Sequence, residues 1–166
     1  MKKLSFLILF MLIFACNEGP DTRGIPGPAE VEAVTAEPVI TAEQTADQLK
    51  KEGYETFLMK EEDTTYLMQK YFMVFLKKGP NRSQDSTAAA RLQEQHLAHL
   101  NRMATEGYAS LIGPFGDDGD IRGIVVFNTP TQEMADSLAR LDPMVEAGRL
   151  EVEVHPWWVS KGGKLN

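Results

Sequence analysis

Between Ser86 and Glu106 the apolar positions recur at the three- and four-residue spacing of an amphipathic helix. Ala89, Leu92, Leu100 and Met103 centre one face, while Arg91, Glu94, Asn101 and Arg102 point the other way. His96 falls inside the apolar face, four residues from both Leu92 and Leu100, and His99 falls at its edge. A titratable ring aimed at a core is either a hydrogen-bonded packing residue or a functional one. His96 is therefore the first candidate for chemistry.

The same reading extends along the chain. Thr41 followed by Gln44 is a capping-box pattern, and Gly53 is a stop, which predicts a short helix from Ala42 to Glu52. Tyr54 to Met59 and Tyr66 to Leu76 read as strands of a hairpin joined by a polar turn, Lys60 to Thr65. Gly79-Pro80-Asn81 is turn chemistry inside the loop Lys77 to Asp85, and Ser86 or Asp85 caps the central helix. Tyr108 to Ile112 and Ile121 to Asn128 are predicted strands across the connection Gly113 to Asp120. Thr129-Pro130-Thr131-Gln132 predicts a helix start with Pro130 at the first helical position, followed by an apolar stripe of Met134, Leu138 and Leu141. Asp142-Pro143 interrupts that helix, and a further turn runs to Gly148. Leu150, Val152 and Val154 alternate with Glu151, Glu153 and His155, which predicts a last strand with one wet face.

From Tyr66 onward the element order is β-α-β-β-α-β, which implies an α+β, ferredoxin-like sandwich with both helices on one face of an antiparallel sheet. Tyr71-Phe72-Met73-Val74-Phe75-Leu76 is apolar without alternation, the mark of a strand covered on both faces. The chain's own helices supply one cover. A second copy of the chain supplies the other, so a homodimer is expected.

Met1 to Ala15 differs from the rest. Lys2 and Lys3 precede an apolar run from Leu4 to Ala15, too short to span a bilayer and of the length of a signal peptide's hydrophobic region. Cys16 is the single cysteine, so it has no internal disulfide partner. Leu12-Ile13-Phe14-Ala15-Cys16 resembles the bacterial lipobox, with a bulky Phe14 as its one departure. That resemblance implies lipidation of Cys16 and a location in the bacterial cell envelope, anchored to a membrane outside the cytoplasm. Asn17 to Ile40 carries four prolines and no sustained apolar period. The expected division is a signal peptide (1–15), a flexible tether (16–40), a helix–strand extension (41–65), the folded domain (66–160) and a tail (161–166). With 43% hydrophobic and 25% charged residues the composition suits an ordinary core. A net charge of −7 with no basic stripe argues against a nucleic-acid partner.

Several pieces taken in order resemble the YciI-like (YCII-related) family. They are His96-Leu97, Glu106-Gly107 through Gly113-Pro114, Leu141-Asp142-Pro143-Met144-Val145-Glu146-Ala147-Gly148, and Val154-His155-Pro156-Trp157. The resemblance runs from about Met68 to Trp158. It implies a dimeric α+β barrel and an active-site pair formed by the helix histidine and the Asp-Pro aspartate, here His96 and Asp142. At least one family member acts as a dehydrochlorinase on a chlorinated aromatic diol. Most members are small and unanchored, so the N-terminal segments are a departure that puts a cytosolic substrate in doubt.

A carboxylate that accepts from one imidazole nitrogen fixes the tautomer and leaves the other nitrogen to move protons. Asp before Pro is equally an ordinary N-cap with proline at N1, and Asp142 serves both roles only if one oxygen caps while the other faces His96. Three readings stay open. One is cofactor-free acid–base catalysis on a small molecule, aromatic or not. The second is a non-catalytic envelope module that binds a small ligand or a protein, and the third is a purely structural pair. His96 and His99 are spaced to share a metal, yet no cysteine or HExxH pattern joins them, and neither metal nor cofactor is expected. Asp117, Asp118 and Asp120 lack the spacing and terminal glutamate of a calcium loop and read as a solvated turn. Trp157 and Trp158 would line a pocket mouth or a dimer contact.

Overall fold

The computed structural model describes residues 40–165. The signal, tether and lipidation readings, Cys16 included, lie outside those residues. Thr41 caps α1 (Ala42–Lys51) with a complete box: its hydroxyl accepts from the Gln44 N–H, and Gln44 Oε1 accepts from the Thr41 N–H at 2.9 Å. β1 (Thr56–Glu61) and β2 (Thr64–Lys78) follow as a hairpin. Asp85 caps α2 (Ser86–Thr105) by accepting from the Ala88 N–H at 2.8 Å. β3 (Ala109–Pro114) and β4 (Ile121–Phe127) form a second hairpin. The chain ends with α3 (Gln132–Arg140), the single turn α4 (Pro143–Glu146) and β5 (Leu150–Ser160).

Every partner of β2 is antiparallel to it. β4 pairs with Phe72 to Lys77, β1 pairs with Thr64 to Gln69, and β5 pairs with Met68 to Lys78. Met68 and Gln69 bond to β1 and β5 at once, so those two strands flank opposite edges of β2. By the same argument from Phe72 to Lys77, β4 lies opposite β5. The order across the domain is therefore β5-β2-β4-β3, the ferredoxin-like arrangement, with β1 continuing the β4 edge along the overhanging half of β2.

Alternation then assigns the faces. Phe72, Val74 and Leu76 of β2, with Val125 and Phe127 of β4 and Leu150 of β5, pack beneath Leu100 and Met103 of α2, Ala135 and Ala139 of α3, and Met144 of α4. On the other face Tyr71, Met73 and Phe75 are half-buried, beside Ile124 and Leu111. The continuous apolar run thus has one covered face and one half-covered face in the single chain. Part of that second face is covered by α1: Thr56, paired with Gln69 and so on its face, donates its hydroxyl to the Ala46 carbonyl, and Ala46 and Leu67 are buried.

Two local expectations are corrected. α3 begins two residues later than its proline suggested, because the Thr131 hydroxyl accepts from the Met134 N–H at 3.2 Å and is the N-cap, leaving Pro130 outside the helix. Leu141 is 54% exposed, while the small residues Ala135 and Ala139 form the buried stripe. Their size lets α3 lie close to the sheet. β5 also runs past His155 to Ser160, carrying Pro156, Trp157 and Trp158 within a strand.

Candidate functional site

Two loops must meet before the site can form. At Gly79 a Cβ would sit 2.3 Å from the Gly148 carbonyl oxygen, so only glycine permits this approach. The Gly79 N–H donates to the Arg149 carbonyl at 3.0 Å and the Asn81 N–H to that of Gly148 at 3.0 Å. The loop entering α2 is thereby tied to the loop leaving α4, and α4 packs beside α2.

That juxtaposition brings His96 and Asp142 together. His96 Nδ1 lies 2.5 Å from Asp142 Oδ2, and the two residues are only 8% and 2% exposed. The other oxygen, Oδ1, accepts from the Met144 N–H at 2.8 Å and caps α4, with Pro143 at its first position. Both roles foreseen for Asp142 coexist, one on each oxygen. Since a carboxylate only accepts, Nδ1 carries the proton in this bond and Nε2 is the ring atom left for other work. His96 also lines a cavity of about 210 Å³ with Leu76, Leu100, Ile112, Gly123 and Leu150. Gln93 and Arg122 are the other polar side chains of its lining.

His99, placed at the edge of the apolar face by periodicity, is in fact buried, at 6% exposure. Its Nδ1 faces Arg102 Nη2 at 3.2 Å, one turn along α2. Burial, opposed by the nearby Asp142 carboxylate and aided by the Arg102 guanidinium, holds the ring's pKa below its ordinary value. Its Nε2 is buried and has no hydrogen-bond partner among the described residues; the Leu138 carbonyl of α3 is near enough to favour the charged ring yet falls outside hydrogen-bond geometry. Among the described residues no three His, Cys, Asp or Glu side chains gather as a metal site. Asp117, Asp118 and Asp120 are exposed.

Sequence reasoning missed a second polar cluster, on the opposite sheet face. Gln69, fully buried in β2, donates to Asn128 Oδ1 at 2.6 Å and accepts from Lys161 Nζ at 2.8 Å. A glutamine inside an apolar strand carries no signal of such partners. Beside it a cavity of about 630 Å³ is lined by Tyr71, Leu111, Val126, Trp157 and the tail from Gly162 to Leu165. Trp158 points elsewhere, edge-on to Phe57 with ring centroids 4.9 Å apart.

The sheet order, the helices on one face and the His–Asp pair beneath the first of them define a small ferredoxin-like α+β protein with a buried polar pair at the edge of its core. Residues 70–158 match the model of the YCII-related domain, more than half of the chain, and the chain belongs to that family. Among solved structures it is similar to the 5-chloro-2-hydroxyhydroquinone dehydrochlorinase of Burkholderia phenoliruptrix AC1100, determined in complex with 2,5-dihydroxybenzoquinone. The identity is 21%, the TM-score 0.41, and the match covers 52% of this chain and 92% of that one. None of the curated proteins matches the chain.

Proposed function

We propose that this YCII-related protein performs acid–base chemistry on a small molecule, with His96 as the proton-transfer group and Asp142 as the residue that orients it. The observation that carries the reading is the 2.5 Å Nδ1–Oδ2 contact at a ring that also borders a cavity of about 210 Å³. A cavity of about 150 Å³ holds benzene, so this one suits a single-ring substrate. Bound there, an acidic C–H or O–H could meet Nε2. The ring would take the proton as base and return it as acid, while the Asp142 carboxylate stabilises the imidazolium formed between the two steps. The imidazole and carboxylate supply this chemistry without a cofactor.

The test is a turnover screen of one-ring phenols, hydroquinones and carboxylates, comparing wild type with Asp142→Asn and His96→Gln. Asparagine keeps the Oδ1 cap but presents an N–H to Nδ1, forcing the opposite tautomer. A loss of about 10²–10⁴-fold with little change in melting is expected, by analogy with wrong-tautomer variants elsewhere. Substrates turned over equally by all three proteins would overturn the reading. The cap itself favours a reading without turnover, because a residue that ties α4 to α2 has a structural use; the second reading is then a non-catalytic envelope module that binds a ligand or protein. Ligand binding at the His96 cavity without turnover would establish it.

Assembly and location complete the proposal. The half-buried Tyr71, Met73, Phe75 and Ile124, rimmed by the Lys77–Glu153–His155 chain of polar contacts, suit a homodimer formed sheet against sheet. Lipidation at Cys16 would hold that dimer at a membrane outside the cytoplasm. Intact-mass measurement showing an unmodified Cys16 in the mature protein would refute the anchor.

A further inference from the structure

We infer that Arg102 is a positioning residue which reserves the Asp142 carboxylate for His96 by keeping His99 neutral and in a single tautomer. This deepens the acid–base reading above and rests on it.

α2 carries an ambiguity. Its buried face presents two imidazoles three residues apart, both within the field of a single carboxylate. If either ring were free to take the proton, His96 would share its counter-charge with His99. Nothing in the helix periodicity prevents this. Asp142 itself favours a charged His99, as does the Leu138 carbonyl.

Arg102 is what breaks the symmetry. A guanidinium can only donate, so the 3.2 Å contact of its Nη2 with His99 Nδ1 requires a lone pair on that nitrogen. The ring must then be neutral with its proton on Nε2. That Nε2–H is buried and lacks an acceptor in hydrogen-bond geometry among the described residues, so protonating Nδ1 as well would place a cation in a site with no compensating bond. His96 and Arg102 oppose that second proton, whereas Asp142 favours it; Glu106, 3.8 Å from Arg102 on the surface, tempers the guanidinium from outside. The balance leaves a core in which one histidine is paired with the carboxylate and the other is locked out.

Histidine-selective ¹⁵N NMR on the full-length protein tests this by following the ring nitrogens against pH, with resonances assigned through His96→Gln, His99→Gln and His155→Gln. In wild type the neutral Nε2–H tautomer of His99 should persist to lower pH than in an ordinary imidazole. Arg102→Gln, which keeps a donor but removes the charge, should raise the His99 midpoint by about one pH unit and let Nδ1 take up the proton. Arg102→Lys should restore the wild-type profile in part, which a loss of packing alone would not predict. A His99 that titrates at its ordinary value in wild type, or a His99 midpoint unmoved in Arg102→Gln, would overturn the inference. Because the titration is read without substrate, its failure is distinct from a failure to find turnover.

Discussion

Replacing Asp142 with alanine removes two interactions at once, and the structure lets each be given a size. The Met144 N–H loses its cap, a loss worth about 1 kcal/mol. His96 Nδ1–H loses its acceptor inside a nearly closed site, which costs a further ~1–3 kcal/mol. The sum is about 2–4 kcal/mol. At roughly 3–5 °C per kcal/mol for a domain of this size, melting should fall by roughly 6–20 °C. His96→Leu alone leaves the carboxylate buried beside an apolar side chain, and breaking such a pair costs about 3–5 kcal/mol. The double variant, Asp142→Ala with His96→Leu, has neither an orphaned ring nor an orphaned charge, so it should lose little more than the cap, about 1 kcal/mol. The two positions are therefore expected to couple strongly. Urea midpoints for the two singles and the double, compared at constant slope, make the measurement. A double that costs the sum of its singles, or an Asp142→Ala variant within about 0.5 kcal/mol of wild type, would refute the reasoning.

Burial of His99 has a consequence in acid. Because its folded pKa is depressed, the unfolded chain binds the extra proton first; stability is full above the ordinary value of about 6.5 and is lost as pH falls below it. His99→Gln should remove that portion of the slope in denaturant midpoints taken from pH 7.5 to 5. Light scattering should report twice the 18.5 kDa chain mass, less whatever processing removes, and Phe75→Asp on the half-buried sheet face should return the protein to monomer. Thr131→Ala should destabilise by about 1 kcal/mol through loss of the α3 cap, whereas substitution of Pro130, outside the helix, should not remove that cap. Gly79→Ala should fold poorly at 37 °C, since the added methyl meets the Gly148 backbone and not a side chain that can turn away.

Where a residue's role depends on its own element, the sequence was legible. Helical spacing placed His96 on the inner face of α2, and Asp before Pro marked the cap of α4. Their meeting depends on the Gly79–Gly148 approach, which neither pattern contains; family resemblance supplied the pair. The two errors in α3 have separate causes. Leu141 looked buried because it is large and in phase, but it is the C-cap, where the helical phase ends, and Ala135 and Ala139 face inward with Leu138 beside them. Pro130 looked like a first helical residue because proline tolerates that position, yet the Thr131 hydroxyl was the better cap. Arg102 was read correctly as surface-directed, but the reach of its side chain back to His99 is a matter of rotamer and carries no periodic signal.

The length of β2 sets how this protein can be cut. Its first half belongs to the hairpin with β1 and its second to the family domain, while β5 bridges the junction by pairing continuously from Met68 to Lys78. Evolutionary and mechanical boundaries therefore disagree: the recognisable domain starts at residue 70, in the middle of a strand. A truncation placed there would sever β2 and strand the far end of β5 without a neighbour. Hydrogen exchange should accordingly show amides of Leu67 and Val74 opening together, as parts of one cooperative unit, so that β1 and the first half of β2 act as framework for the sheet and not as a detachable appendage.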